Sequence, residues 1–143
     1  MDVCVTLTYG CNAKCSMCYV WQNPTKADEE VSLNTLSKIP SGIDYLNLTG
    51  AEPKLRNDLE EVVDLLYPKA MTLEISSNGL LSERLDPIIK KYPDIKIRFS
   101  LEGFVETNNK IRGERGGDKK KMNGIFRLKK LGAKDIGIAT GIH

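Results

Sequence analysis

Residues 3–21, "VCVTLTYGCNAKCSMCYVW", join two patterns whose adjacency decides the fold. Residues 3–8 alternate apolar and polar side chains, the period of a strand with one buried face. Directly after them come Cys11, Cys15 and Cys18, in a loop that also holds the small residues Gly10 and Ala13. A strand that delivers ligands from its carboxyl end is the arrangement of parallel α/β sheets. Three thiols are one short of a closed structural zinc site. Cys4 sits inside the strand and His143 at the far terminus, so neither is well placed to complete it. An iron–sulfur cube bound through three thiolates, by contrast, keeps one iron open for a substrate or cofactor. Spacing alone leaves a catalytic cluster, a zinc site and unmetallated cysteines all open.

The composition narrows the function classes. At 143 residues and 41% hydrophobic, the chain can bury one domain-sized core. Its 21 basic and 19 acidic residues give a formal charge of +2, too small a field to predict nucleic-acid or anionic-membrane binding. No run approaches the roughly 20 apolar residues of a spanning helix, and the first residues have no secretory pattern. All four cysteines fall within the first 18 residues, where a secreted disulfide framework would spread them. The expectation is a cytoplasmic protein with metal-binding or catalytic thiols.

The remainder repeats the strand-then-helix rhythm. "YLNLTG" (45–50), "TLEISSN" (72–78), "KIRFSLEG" (96–103) and "DIGIATG" (135–141) read as four further strands. Leu59, Val62, Val63 and Leu66 make a helical stripe behind Asn57, a candidate cap with Glu60 three residues on. Leu81, Leu85, Ile88, Ile89 and Tyr92 make a second, with Asp86 as a cap before Pro87. Met122, Ile125, Phe126 and Leu131 make a third, ended by Gly132, and residues 32–39 form a shorter candidate. Residues 104–118 are the most irregular stretch, with "RGERGGD" (112–118) reading as a mobile loop, Lys119 to Lys121 as a surface run, and Cys4 as a small buried hydrophobe. The expected architecture is α/β, a parallel sheet of about five strands with four helices. A full eight-unit barrel needs about 250 residues, so the first and fifth strands are expected to be open edges through which the chain self-associates.

Residues just past the strands are the candidate site. They are the three cysteines, then "TGAEP" with Gly50, Ala51, Glu52 and Pro53, then "SSNG" with Asn78, then "SLEG" with Ser100 and Glu102, and Thr140 on the fifth strand. Each has a bland reading too: Glu52 as a surface partner of Arg56, Asn78 as a turn residue, and Ser100 and Glu102 as a solvated face.

CxxxCxxC after the first strand, G-A-E-P after the second, S-x-N-G after the third and S-L-E-G after the fourth resemble the radical S-adenosylmethionine (SAM) enzymes. The similarity is greatest to the branch that carries C-terminal extra-cluster (SPASM-type) extensions. The resemblance implies that residues 1–143 are the core of a partial, TIM-barrel-like (β/α)6 barrel, with any substrate or auxiliary-cluster domain lying beyond it. It implies that Cys11, Cys15 and Cys18 hold a 4Fe-4S cluster whose open iron is chelated by SAM. Gly50, Ala51, Glu52 and Pro53 would receive the cofactor's ammonium group, and Ser100 and Glu102 its ribose hydroxyls. Asn78 and Arg112 would contact its methionyl end or the substrate, Tyr19 its adenine, and Thr140 would also be a cofactor-binding residue. An external electron donor such as flavodoxin or ferredoxin and a peptide or protein substrate are also implied. Reductive cleavage of SAM would yield a 5'-deoxyadenosyl radical that abstracts a substrate hydrogen. A zinc-binding structural module, or a fragment that binds cluster and SAM without turnover, are the alternatives. Ala51 replaces the family's commoner second glycine, which predicts strain if its φ is positive.

Overall fold

The computed structural model of the chain describes residues 1–141; His143 and the end of "DIGIATGIH" lie outside them. Five parallel strands form one sheet in chain order: β1 (Asp2–Thr6), β2 (Ile43–Thr49), β3 (Ala70–Ser77), β4 (Lys96–Ser100) and β5 (Asp135–Ala139). The crossovers carry α1 (Leu33–Ser37), α2 (Leu59–Leu66), α3 (Asp86–Lys91), α4 (Val105–Arg112) and α5 (Gly117–Lys130). β1 and β5 are the outer strands, as expected.

Alternation along the strands divides the sheet into two unlike faces. Leu46 and Leu48 of β2, Leu73 and Ile75 of β3, and Ile97 and Phe99 of β4 are buried with Leu36, Val62, Val63, Leu66, Ile88, Ile89 and Leu128 from the helices. Truncating a central member such as Leu48 to alanine costs about 2–5 kcal/mol. The opposite face is polar: Asn47 meets Ser76 at 3.1 Å, and Arg98 meets Glu74 at 3.1 Å and Asp135 at 2.8 Å. Cys4 lies on this polar face and is exposed, not buried. Asp2 and Thr6, on the same face of β1, are exposed as well.

Three helix boundaries differ from expectation. Asn57 does not cap α2; Asp58 precedes it, and no side-chain cap bond forms. The Asp58 carboxylate is instead held by Arg56 Nε at 2.8 Å and Nη2 at 2.7 Å, a charge-assisted pair stronger than a neutral cap. Asp86 is the first residue of α3, behind a 3-10 turn over Ser82–Leu85, and its carboxylate accepts from Arg127 at 3.0 Å. Residues 104–118, expected to be irregular, contain all of α4.

Helix α5 buries only part of the stripe its apolar residues mark: Ile125 and Leu131 pack against the core. Gly117, Lys121, Gly124 and Leu128 are inside, while Met122 and Phe126 are exposed. The spacing i, i+4, i+7, i+11 is helical, but two glycines and a lysine carry no hydropathy signal. Gly124 is required there, since a Cβ would stand 2.3 Å from Ser82 Oγ. Lys121, expected at the surface, is 2% exposed.

Candidate active site at the carboxyl ends of the strands

The loop after β1 is fastened to the turn after β2. Ala51 donates its N–H to the Thr8 carbonyl at 2.8 Å, and Glu52 to that of Gly10 at 3.0 Å. Gly50 has φ +131°, and a Cβ on it would lie 2.4 Å from the Thr8 oxygen, so only glycine lets the two chains touch. The positive φ falls on Gly50, and no non-glycine described residue shares it. The strain expected of Ala51 therefore does not arise.

The three cysteines line one cavity of about 410 Å³. Cys15 is buried, and Cys11 and Cys18 are partly so. Burial above all pushes the Cys11 thiol up, partly offset by the Ala13 N–H at 3.4 Å. The Cys15 carbonyl accepts from Cys18 N–H and from Trp21 Nε1, each at 3.2 Å. Gly50, Ala51, Asn78, Ser100 and Arg112 share the wall, as do Tyr9, Met17 and Trp21. Thr6, Thr49 and Ser76 reach it from the polar face of the sheet.

Asn78 Nδ2 donates to Asn12 Oδ1 at 2.7 Å and lies 3.9 Å from Cys11 Sγ. Glu52 is fully buried, and its carboxylate accepts from Ser77 Oγ at 3.1 Å, Asn78 N–H at 2.7 Å and Lys54 N–H at 3.2 Å. It does not pair with Arg56, which binds Asp58 and Glu30. Glu52 thus fastens the turn after β2 to the end of β3 from behind the wall. Lys54 Nζ is its buried neighbour at 3.9 Å, and burial lowers the pKa of that ammonium.

Glu102 is likewise buried, ion-paired with Arg112 and accepting from Gly141 N–H at 2.8 Å. Arg112 Nη1 stands 3.8 Å from Cys15 Sγ. Of the remaining expected residues, Pro53 opens a buried 3-10 turn behind the wall, and Tyr19 is 70% exposed on the rim. Thr140 is exposed, its hydroxyl directed at the Gly141 carbonyl. None of these three lines the cavity. Asn12, Trp21, Lys54 and Lys121 were not foreseen. Trp21, three residues beyond Cys18, had the clearest signal, as an aromatic beside a ligand loop.

The three cysteines line one shared space. That donor set fits a polynuclear cluster, in which each thiolate meets a different iron.

The sequence matches the Radical SAM superfamily over residues 5–143. It is 30% identical to the Fe-coproporphyrin III synthase of Methanosarcina barkeri, over 96% of this chain and 36% of that protein. It is 29% identical to the sporulation killing factor maturation protein SkfB of Bacillus subtilis, over 85% of this chain and 31% of that one. The fold superposes on anSMEcpe with bound AdoMet with a TM-score of 0.72 at 18% identity, covering 95% of this chain and 42% of that one. For SuiB of Streptococcus suis bound to S-adenosylmethionine the TM-score is 0.71 at 17% identity, covering 96% and 33%. At such identities the structural likeness is one of fold.

The chain belongs to the radical SAM superfamily, a class of enzymes whose cofactors are a 4Fe-4S cluster and SAM. It spans about a third of the length of the two curated relatives named above. No described helix is long and apolar enough to cross a membrane.

Proposed function

We propose that residues 1–143 are the cofactor-binding core of a radical SAM enzyme, with Cys11, Cys15 and Cys18 each holding one iron of the cluster. The observation that supports this reading is the single cavity shared by the three thiols, the Gly50–Ala51 turn, Asn78, Ser100 and Arg112. Bound there, the cluster and SAM would supply one-electron reductive cleavage of the sulfonium's C5'–S bond, with methionine released, and hydrogen-atom abstraction from the substrate.

The chain's own residues bind and orient. An ammonium group has only donors, and the close approach at Gly50 lets backbone carbonyls of that turn meet the amino group of SAM. Glu52 orients the turn and Asn78 from behind. Arg112, aimed by Glu102, is the partner for the cofactor's carboxylate. Ser100 faces the ribose, and Trp21 and Tyr9 exclude water from the adenine side. Tyr19 and Thr140 lie where a substrate or an electron donor such as flavodoxin or ferredoxin would approach. A peptide is the favoured substrate class, supported by SkfB and by a SuiB structure bound to its precursor peptide SuiA.

Anaerobic reconstitution with iron and sulfide tests the reading. The parent and Cys4→Ser proteins should take up the same cluster, and Cys11→Ala, Cys15→Ala and Cys18→Ala should lose it. Equal iron and sulfide content in Cys15→Ala and parent would overturn the assignment.

A further inference from the structure

Lys121 is a buried cation that none of the binding roles above uses. Its side chain runs beneath the turn after β3, so close that a Cβ on Gly79 would lie 2.7 Å from Lys121 Cγ. Its Nζ donates to Asn108 Oδ1 at 3.2 Å, and that oxygen also accepts the Glu102 N–H at 3.2 Å. A neutral amide is poor compensation for taking an ammonium out of water. Burial first, and then Arg112, pull its pKa down to about 8, while Cys15, Glu102 and Glu114 oppose that.

The surroundings account for such a residue. Asn108 sits on the helix that carries Arg112, whose Nη1 stands 3.8 Å from Cys15 Sγ while Nη2 is paired with Glu102. Lys121 and Arg112 are thus the cations grouped near Cys15, facing Glu102 and Glu114, and Glu114 is itself paired with Lys120 at 2.9 Å. A cube with three thiolate ligands is anionic and gains a further negative charge on reduction. Nearby net charge is one of the terms that set a cluster's potential.

Resting on the cluster reading above, we propose that Lys121 is an electrostatic positioning residue: its buried positive charge offsets the carboxylates of Glu102 and Glu114 near Cys15 and favours the reduced cluster. Asn108 fixes the ammonium in that place. The inference concerns the electron-accepting step and is independent of which substrate is used.

The test is a redox titration of the reconstituted protein with dithionite, followed by the electron paramagnetic resonance signal of the reduced cluster. Lys121→Met, at parental iron and sulfide content, should shift the midpoint to more negative potential by at least a tenfold step in the equilibrium, about 59 mV for a one-electron couple. Lys121→Arg should stay near the parent. Asn108→Asp keeps the lysine, adds an opposing charge and should shift the midpoint in the same negative direction, which covers the case of a Met variant that does not fold. A parental midpoint in cluster-loaded Lys121→Met or Asn108→Asp overturns the inference. A parent protein that takes up no cluster overturns the reading of the cysteines instead.

Discussion

Ser16, between two of the cysteines, donates its backbone N–H to the carbonyl of Ile111 at 2.8 Å, across 95 positions of sequence. Its hydroxyl reaches the same oxygen at 3.3 Å. The last turn of α4 is therefore clamped onto the cysteine loop. One residue further on, Gly113 holds φ +66° as the helix's left-handed C-terminal residue, and a Cβ there would lie 2.5 Å from the Lys14 carbonyl.

Gly113→Ala should accordingly open the clamp. The left-handed backbone and the collision together cost about 1–3 kcal/mol, read as a lower urea midpoint. Reconstituted cluster should also bleach faster in air, because the loop that shields Cys15 is loosened. A variant with the parental midpoint and bleaching rate would show that α4 does not clamp the loop.

Glu52→Gln separates a positioning carboxylate from a ligand. An amide would turn one NH2 group toward donors that Ser77 and Asn78 now direct at oxygen. Protein without SAM should therefore lose about 1–3 kcal/mol of stability, and calorimetry should show weaker SAM binding while the cluster persists. Unchanged stability with weakened SAM binding would mean that the carboxylate turns outward and meets the cofactor directly.

Asp58 predicts part of the acid limb of stability. The hydrogen bonds from Arg56 are the main cause holding its carboxyl below the usual 3.8. A depressed folded pKa gives stabilisation that is complete above the unfolded value and is lost as pH falls through the folded one. The pair is partly exposed, so the loss is about 1 kcal/mol or less. Between pH 6 and pH 3 the parent's denaturation midpoint should fall further than that of Asp58→Asn. Parallel curves would remove Asp58 from the acid limb.

The parallel sheet was legible because its strands keep a period of two and α2 keeps an uninterrupted apolar stripe over Leu59, Val62, Val63 and Leu66. Helix α4 was not. "VETNNKIR" has no such stripe, and its one buried residue is Asn108, whose contacts with Glu102 and Lys121 come from other elements. The cavity-lining residues beyond each strand were legible from their positions. The inward direction of Glu52 was not, since no local pattern encodes which donors a carboxylate meets after the chain has folded. Lys121 was hidden for a similar reason: hydropathy assigns a lysine to water, and only the close approaches at Gly79 and Gly124 show that its face of α5 is packed.

The last prediction concerns β5. Among the described residues it is an outer strand, paired on one side with β4, and it exposes Ile138, 52% accessible. An outer strand with an open row of N–H and C=O groups and an apolar side chain is a template for another strand. β1, the opposite edge, alternates exposed polar side chains with partly buried valines and offers less apolar surface. Self-association of this 143-residue chain should therefore run through β5 and rise with concentration in light scattering. Ile138→Lys adds a charge of the kind that protects natural edges and should return the protein to monomer with little change in its denaturation midpoint, because about half of the side chain it replaces is already exposed. Amide exchange over Asp135–Ala139 should slow with concentration in the parent and stay constant in the variant. A parent that remains monomeric across that range, with these amides already protected when dilute, would show that the edge is covered within the chain.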